Sequence, residues 1–356
     1  MRISKSFVKY ILRRAIILYL TAVIAIYITI VIADAGGYID KIIKSSIYVD
    51  IAMKIRGNPL YSQLPLSEVN KIIKAEYEKA IKRLGLDQPF LIRSIKVYLK
   101  NALTLNLGRA MYMTSDSGSR QVRIILLERL PQTILLFTTA TVLIFLITLF
   151  CGLKLSRTYG SRIDKILTSL TPLSAIPGWF YGIILIMIFA SWLHILPYGG
   201  LVDAPPPRNP ILYALSVLKH MILPLAAWII SGFFIGTYSM RMLFLIYSTE
   251  DYVEVAYAKG LSAKDIERKY ILKPALPPII TNFALSVIAS WTGAIITETV
   301  FNWPGLGLAL YQAIQYPDIP VIVGVTAIYA YLLMITVLIL DIVYAIVDPR
   351  IRLEGG

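Results

Sequence analysis

Long apolar runs, separated by short clusters of charge, set the pattern of this chain. Six of them approach the roughly 20 residues needed to cross a bilayer. They lie at about 12–33, 131–153, 166–190, 221–247, 279–301 and 321–347. The pattern predicts an all-α, polytopic membrane protein with six transmembrane helices. The first run follows Arg13 and Arg14 and ends at Ala33-Asp34-Ala35, which resembles a signal-peptide cleavage site. Its apolar core, Ala15 to Ala33, is longer than the usual 7–15 residues of a signal core. The expectation is an uncleaved first span.

Between the first and second runs lies a long polar segment, 34–130. After Pro65, Ser67 is a suitable helix N-cap, and Val69, Ile72, Ile73, Tyr77, Ala80, Ile81 and Leu84 recur at helical spacing until Gly85. A second apolar-rich helix is expected through Ile92, Ile95, Tyr98, Leu99 and Leu103. These helices either lie on the membrane surface or pack together. The segment is either a solvated cap or a substrate-receiving surface, since periodicity reports burial and not the partner.

Composition sharpens this picture. Of 356 residues, 57% are hydrophobic and 16% charged, against about 25% charged in a soluble domain. The net charge of +14 is no sign of nucleic-acid binding, because the basic residues gather at the ends of the apolar runs. Arg2, Lys5 and Lys9 precede the first run. Lys154, Arg157, Arg162 and Lys165 join the second to the third. Lys259, Lys264, Arg268, Lys269 and Lys273 join the fourth to the fifth, and Arg350 and Arg352 follow the sixth. The loop between the fifth and sixth carries Asp318 and neither Lys nor Arg. The positive-inside rule puts both termini in the cytoplasm, with segment 248–278, and 34–130 outside. With one cysteine, Cys151, an intrachain disulfide is impossible.

The fourth-to-fifth connection changes character. Ser248-Thr249-Glu250-Asp251 starts a helix with acids suited to its positive end. Gly260 closes it in the left-handed conformation. Ser262 then caps a second helix, with Asp265 three positions on as a near capping box. That helix is expected to end at Pro274, with Pro277-Pro278 resetting the chain. Ala256 and Ala258 keep part of the knob low, so that another backbone can approach.

Within the apolar runs, Pro172, Pro177 and Gly178 suit a bent third span. Glu298, just before Trp303-Pro304-Gly305, is either the edge of a gate or re-entrant turn, or an interfacial carboxylate beside an aromatic belt. Asp341 lies deep enough to need a protein donor. His194 and His220, the only histidines, give no metal site by ligand count. There is no G-x-S-x-G, no H-E-x-x-H and no G-x-x-x-x-G-K-[ST] phosphate loop, so neither a catalytic residue nor a nucleotide site is expected. A channel or secondary transporter would more often show several ionisable residues at mid-span.

Glu254-x-Ala256-x3-Gly260 resembles the EAA loop of ATP-binding-cassette importer permeases, although its first two positions read Glu254-Val255. The wider stretch from Glu250 to Ser262 is similar to the form in the dipeptide/oligopeptide/nickel branch. Other resemblances follow in order: Arg83-Leu84-Gly85-Leu86-Asp87-Gln88-Pro89, Arg129-Leu130-Pro131-Gln132-Thr133, Lys219-His220-Met221-Ile222-Leu223-Pro224, Glu298 to Gly307, and Asp348-Pro349-Arg350-Ile351-Arg352. Residues 34–64 show no Pro-Gly-Asp-Pro-like turn.

The resemblance implies a type I importer permease (MetI-like) fold, of the first, B-type subunit. It implies domains at 1–33 (N-terminus and first helix), 34–130 (extracytoplasmic helical insertion) and 131–356 (five-helix core). It further implies a second homologous permease, two cytoplasmic ATPases that bind ATP and magnesium, an extracytoplasmic solute-binding protein and surrounding lipid. Glu254, Ala256, Ala258, Gly260, Leu261 and Ser262 would couple to the ATPase. Glu298, Trp303, Pro304 and Gly305 would belong to a gate or path. Peptides are the default cargo, with oligosaccharide or nickel as alternatives.

Overall fold

The computed structural model describes residues 5–34, 38–61, 64–290 and 295–347. Among these all regular elements are helices, and the one extended pairing is a single bridge between Arg109 and Gln121. The terminal motif Asp348–Arg352, Arg2, Ala35 and part of the fifth run (291–294) lie outside the described residues.

Among the described residues, four helices are long and apolar enough to cross a membrane: Val8–Ile32, Val122–Arg157, Pro210–Ser248 and Ile319–Ile342. They match the first, second, fourth and sixth runs. The second helix begins nine residues before the expected start at 131, and Pro131 lies inside it. The third run is a pair of helical segments, Arg162–Ala175 and Gly178–Trp192, bent by 95°. The bend falls at Pro177-Gly178: Pro177 is extended, the residue before it likewise, and the ladder restarts at Gly178. The fifth run begins within Lys273–Ser290, which is not among the four; it starts on a lysine and carries Pro277 and Pro278.

That helix corrects an expectation. Pro274 does not end the hairpin's second helix. Ala263–Ile266, a π-helical turn at Glu267–Leu272 and Lys273–Ser290 run on as one. A proline ring collides with the carbonyl four residues back. For Pro274 that residue is Tyr270, inside the π turn, where the ladder is already widened by one residue.

The chain forms two compact units. One holds Met1–Leu12, Glu128–Tyr311 and Ile335–Gly356; the other holds Arg13–Leu127 and Gln312–Met334. In the second unit, Ile26 and Ile30 of the first span pack with Ile319, Val323 and Ala327 of the last, and with Leu86, Tyr98 and Ala102. Three pieces, Phe90–Arg93, a π turn at Ser94–Leu99 and Lys100–Leu103, form one continuous helix. Arg93 ties the preceding turn to it, donating to the Leu86 and Gln88 carbonyls at 3.4 and 3.0 Å. The expected helix after Pro65 is present as Leu66–Arg83. Its N-cap is Pro65, which makes no side-chain capping bond, and Ser67 sits inside the first turn, because the extended backbone that an N-cap needs falls at Pro65, whose ring fixes φ. Val69 and Ile73 bury against Ile55 of a further helix, Tyr38–Arg56, whose weak periodicity hid it.

Asp318 is buried at the start of the last helix. Its Oδ2 accepts from the backbone N–H groups of Met111, Tyr112 and Met113 at 2.8, 3.0 and 3.4 Å. Its negative charge thus anchors a loop by a fan of main-chain donors rather than by a cation.

In the first unit the seam between Val122–Arg157 and Pro210–Ser248 is lined by small residues. Gly232 faces Ile144 and Gly236 faces Thr148; a Cβ on Gly236 would come within 2.8 Å of the threonine methyl. Such small-xxx-small spacing lets apolar helices approach closely where lipid removes the hydrophobic drive.

Candidate functional sites: an exposed hairpin and a buried glutamate

Asp251–Ala258 and the helix starting at Ala263 form the expected hairpin. Gly260 has φ of +74°. The Gly260 N–H donates to the Tyr257 carbonyl at 2.9 Å and the Leu261 N–H to that of Ala256 at 3.3 Å, the paired bonds of a Schellman closure. Ser262 Oγ accepts from the Asp265 N–H at 3.1 Å and donates to Asp265 Oδ2 at 2.7 Å. The aspartate therefore holds the capping hydroxyl and not the N–H of Ser262. Thr249 and Glu250 make no side-chain cap on the first helix.

Inside the hairpin Val253, Ala256 and Ile266 bury together, flanked by Tyr270 and Ile271. Ala256 therefore does not form a low outer surface, as expected; its small side chain lets the two helices meet. Ala258, Glu254, Gly260, Leu261 and Ser262 are exposed. Around them stand Tyr252, Val255 and Tyr257, large side chains left outside. Partial desolvation by the neighbouring side chains, with Glu250 beside it, pushes the Tyr252 phenol up although the residue stays exposed.

The Ser262 hydroxyl, and after it Lys269, hold the Asp265 carboxyl below its ordinary range. A depressed folded value means that the contribution is full above the ordinary carboxylate range and is lost as pH falls through the folded value. Protection of the Asp265 and Ile266 amides from hydrogen exchange, taken against their intrinsic rates at each pH, should fall in that acidic window. In an Asp265→Asn variant that protection should no longer respond to acid.

Two ion pairs brace this end of the unit. Arg157 pairs with Glu267 of the π turn. Asp164 receives Arg241 through both Nε and Nη2, the latter at 2.8 Å, and also accepts the Gly160 N–H at 2.9 Å. The Arg241 guanidinium stacks 5.0 Å from the Tyr159 ring centre. Both Asp164 and Arg241 are buried. An Arg241→Lys variant keeps the charge but loses the fork. It should destabilise the purified protein by the loss of one charge-assisted bond, about 1.5–3 kcal/mol, read as a lower melting temperature.

Elsewhere in the same unit Glu298 is fully buried. Its Oε1 accepts from Thr133 Oγ1 at 2.7 Å and its Oε2 from the Leu308 N–H at 3.0 Å. Thr133 in turn accepts from the Leu306 N–H at 2.8 Å, and Trp303 Nε1 donates to the Gln132 carbonyl at 3.0 Å. Trp303 is fully buried among Leu136, Phe137, Phe301 and Met221. Gly305 lies against the carboxylate, where a Cβ would sit 2.3 Å from Oε1. Pro304 is half-buried. Glu298 and Trp303 are thus neither an interfacial carboxylate nor a belt residue: they knot the loop 301–308 to the start of the second span.

Asp341 is buried and partnered. His220 Nδ1 lies 2.8 Å from the Ser216 carbonyl, and Asp203 lies 4.0 Å from its Nε2. Among the described residues no group of three or more His, Cys, Asp or Glu is placed to hold a metal. Sequence reasoning passed over Thr133, Arg241 with Asp164, and the anchoring role of Asp318. Arg241 carried a signal, a cation inside an apolar run; Thr133 carried only its place in the Arg129–Thr133 motif, which says nothing of Glu298.

Apolar helices of spanning length, a bent pair and a closed polar hairpin define a multi-pass helical membrane protein. Residues 144–353 match the family described as the binding-protein-dependent transport system inner membrane component. The chain belongs to that family and is a membrane component of an ATP-binding-cassette transport system. It is 32% identical over 286 residues to the oligopeptide transport system permease protein AppB of Bacillus subtilis, covering 79% of this chain and 87% of that protein. It is 31% identical over 313 residues to the di/tripeptide transport system permease protein DppB of Pseudomonas aeruginosa, covering 84% and 90%. It is 26% identical over 347 residues to the dipeptide transport system permease protein DppB of Lactococcus lactis, covering 97% of this chain and all of that protein.

Proposed function

We propose that the chain is the first permease of an ATP-driven peptide importer and that its hairpin is the seat of an ATPase. The observation that carries this is the hairpin's division of labour. Val253, Ala256 and Ile266 fold it, while Tyr252, Val255, Tyr257 and Leu261 stay exposed around Glu254. A small knob closed at both ends by caps, with a large-residue surface left open, suits a groove on a separate protein. The relatives' printed names speak for peptides as the cargo.

In this reading the chain crosses the membrane six times, with both termini and the hairpin in the cytoplasm and 34–130 outside as an insertion. It pairs with a second permease, two ATPases carrying ATP and magnesium, and a solute-binding protein. ATP-driven closure of the ATPases shifts the equilibrium between two permease states through the hairpin, a ligand acting by its different affinity for the two. Glu298, Trp303 and Gly305 are packed scaffold and line no path in this proposal.

The test is topological. A thiol introduced as Lys264→Cys in a Cys151→Ser background should resist a membrane-impermeant maleimide in intact cells and react after permeabilisation. Labelling from outside intact cells would overturn the proposal.

A further inference from the structure

The helix of residues 90–103 carries an outward face that nothing in its own unit covers. Leu91, Ile92 and Ile95 are exposed, at 66%, 43% and 53%. Lys96 and Lys100, one turn apart, stand exposed beside them. The opposite face is buried through Arg93, Ser94, Tyr98 and Ala102.

The level of this helix is marked by two hydrogen bonds to the spans. Ser94 Oγ lies 3.4 Å from Tyr27 Oη, and the Leu103 carbonyl accepts from Tyr331 Oη at 2.6 Å. Tyr27 is five residues inside the Ile32 end of the first apolar window, and Tyr331 twelve residues inside the Ile319 end of the last. At 1.5 Å per residue these are about 7 and 18 Å along the helices. The first span, 25 residues, exceeds a hydrocarbon layer of about 30 Å by roughly 8 Å, and the last helix, 29 residues from Ile319 to Val347, by roughly 14 Å. Even with all of that excess assigned to this end, Ser94 stands at the edge of the hydrocarbon and Leu103 inside it. The first span shows its own outward stripe nearby, with Leu20, Ile24, Ile28 and Ile32 all exposed.

From these positions we infer that the 90–103 helix is a membrane-interface element. Leu91, Ile92 and Ile95 enter the acyl region of the phospholipid bilayer, and Lys96 and Lys100 extend their stems to the phosphates. This is the arrangement of an amphipathic helix lying at the headgroup boundary, with lysines snorkelling. An aqueous location would leave three large apolar side chains in water beside a lipid-facing span. The inference does not depend on which side of the membrane the segment occupies.

The test uses the full chain in phospholipid nanodiscs, with Cys151→Ser and a spin label at Ile95→Cys or, independently, Leu91→Cys. Lys74→Cys, on the exposed face of Leu66–Arg83, serves as the aqueous control. The ratio of oxygen to nickel-chelate accessibility should be several-fold higher at both sites than at position 74. A ratio equal to the control would place the face in water. Protection from both reagents would mean that protein covers it, a receptor or a second permease. Either result overturns the inference.

Discussion

Replacing Glu298 by alanine should destabilise the permease by at least about 3 kcal/mol, enough to lose most of the folded protein from the membrane. The figure follows from what the carboxylate does. It accepts from Thr133 Oγ1 and the Leu308 N–H in a fully buried site. Each buried donor left without a partner costs about 1–3 kcal/mol, and the vacated volume adds a cavity term. Glu298→Gln keeps the volume and one acceptor oxygen and should cost less. Thr133→Val removes the other half of the link, together with the acceptor for Leu306 N–H. The two changes share one network, so their combined cost should fall short of the sum. Gly305→Ala offers an independent check, because its methyl has no room beside the carboxylate. The measurement is thermal aggregation of the purified protein in detergent. A Glu298→Ala protein of wild-type stability would show that the loop 301–308 is held by something else.

This knot explains where sequence reading stopped. Thr133 and Glu298 are 165 residues apart, and Asp318 meets Met111 across 207. Neither contact leaves a local trace, so Glu298 read as either a gate edge or an interfacial charge, and Asp318 as a loop charge. Four of the six runs were legible as spans because a bilayer demands about 20 apolar residues in a row, a constraint written entirely in the local chain. The bend of the third run was legible too, since Pro177 and Gly178 act on their own backbone. At the hairpin the same division holds. Gly260 and Ser262 mark the turn through capping, which reaches only a few residues. The passage of the helix through Pro274 depends on a π turn that no residue type announces. The inward aim of Ala256 depends on how two helices meet.

The hairpin yields the second large effect. A Gly260→Val variant should reach the membrane in wild-type amount, yet lose peptide uptake roughly 5–30-fold relative to ATP hydrolysed by the assembled transporter. Gly260 holds φ at +74°, and nothing lies within 4 Å of a Cβ built there. The cost is therefore one of backbone conformation and not of collision. For a residue with a Cβ, left-handed geometry costs roughly 1–2 kcal/mol, and such a bias changes a two-state ratio by about 5–30-fold. The strain falls on the Schellman bonds of Gly260 and Leu261, so the knob opens while the spans beneath it stay packed. Gly260→Asn is the discriminating control, because asparagine tolerates the left-handed region; it should retain most of the coupling. Uptake and ATP hydrolysis are measured together in proteoliposomes holding the whole complex. If valine leaves their ratio unchanged, the hairpin's closed form is not what the ATPase grips. If asparagine fails as badly as valine, the glycine is needed for contact with a partner backbone and not for its torsion.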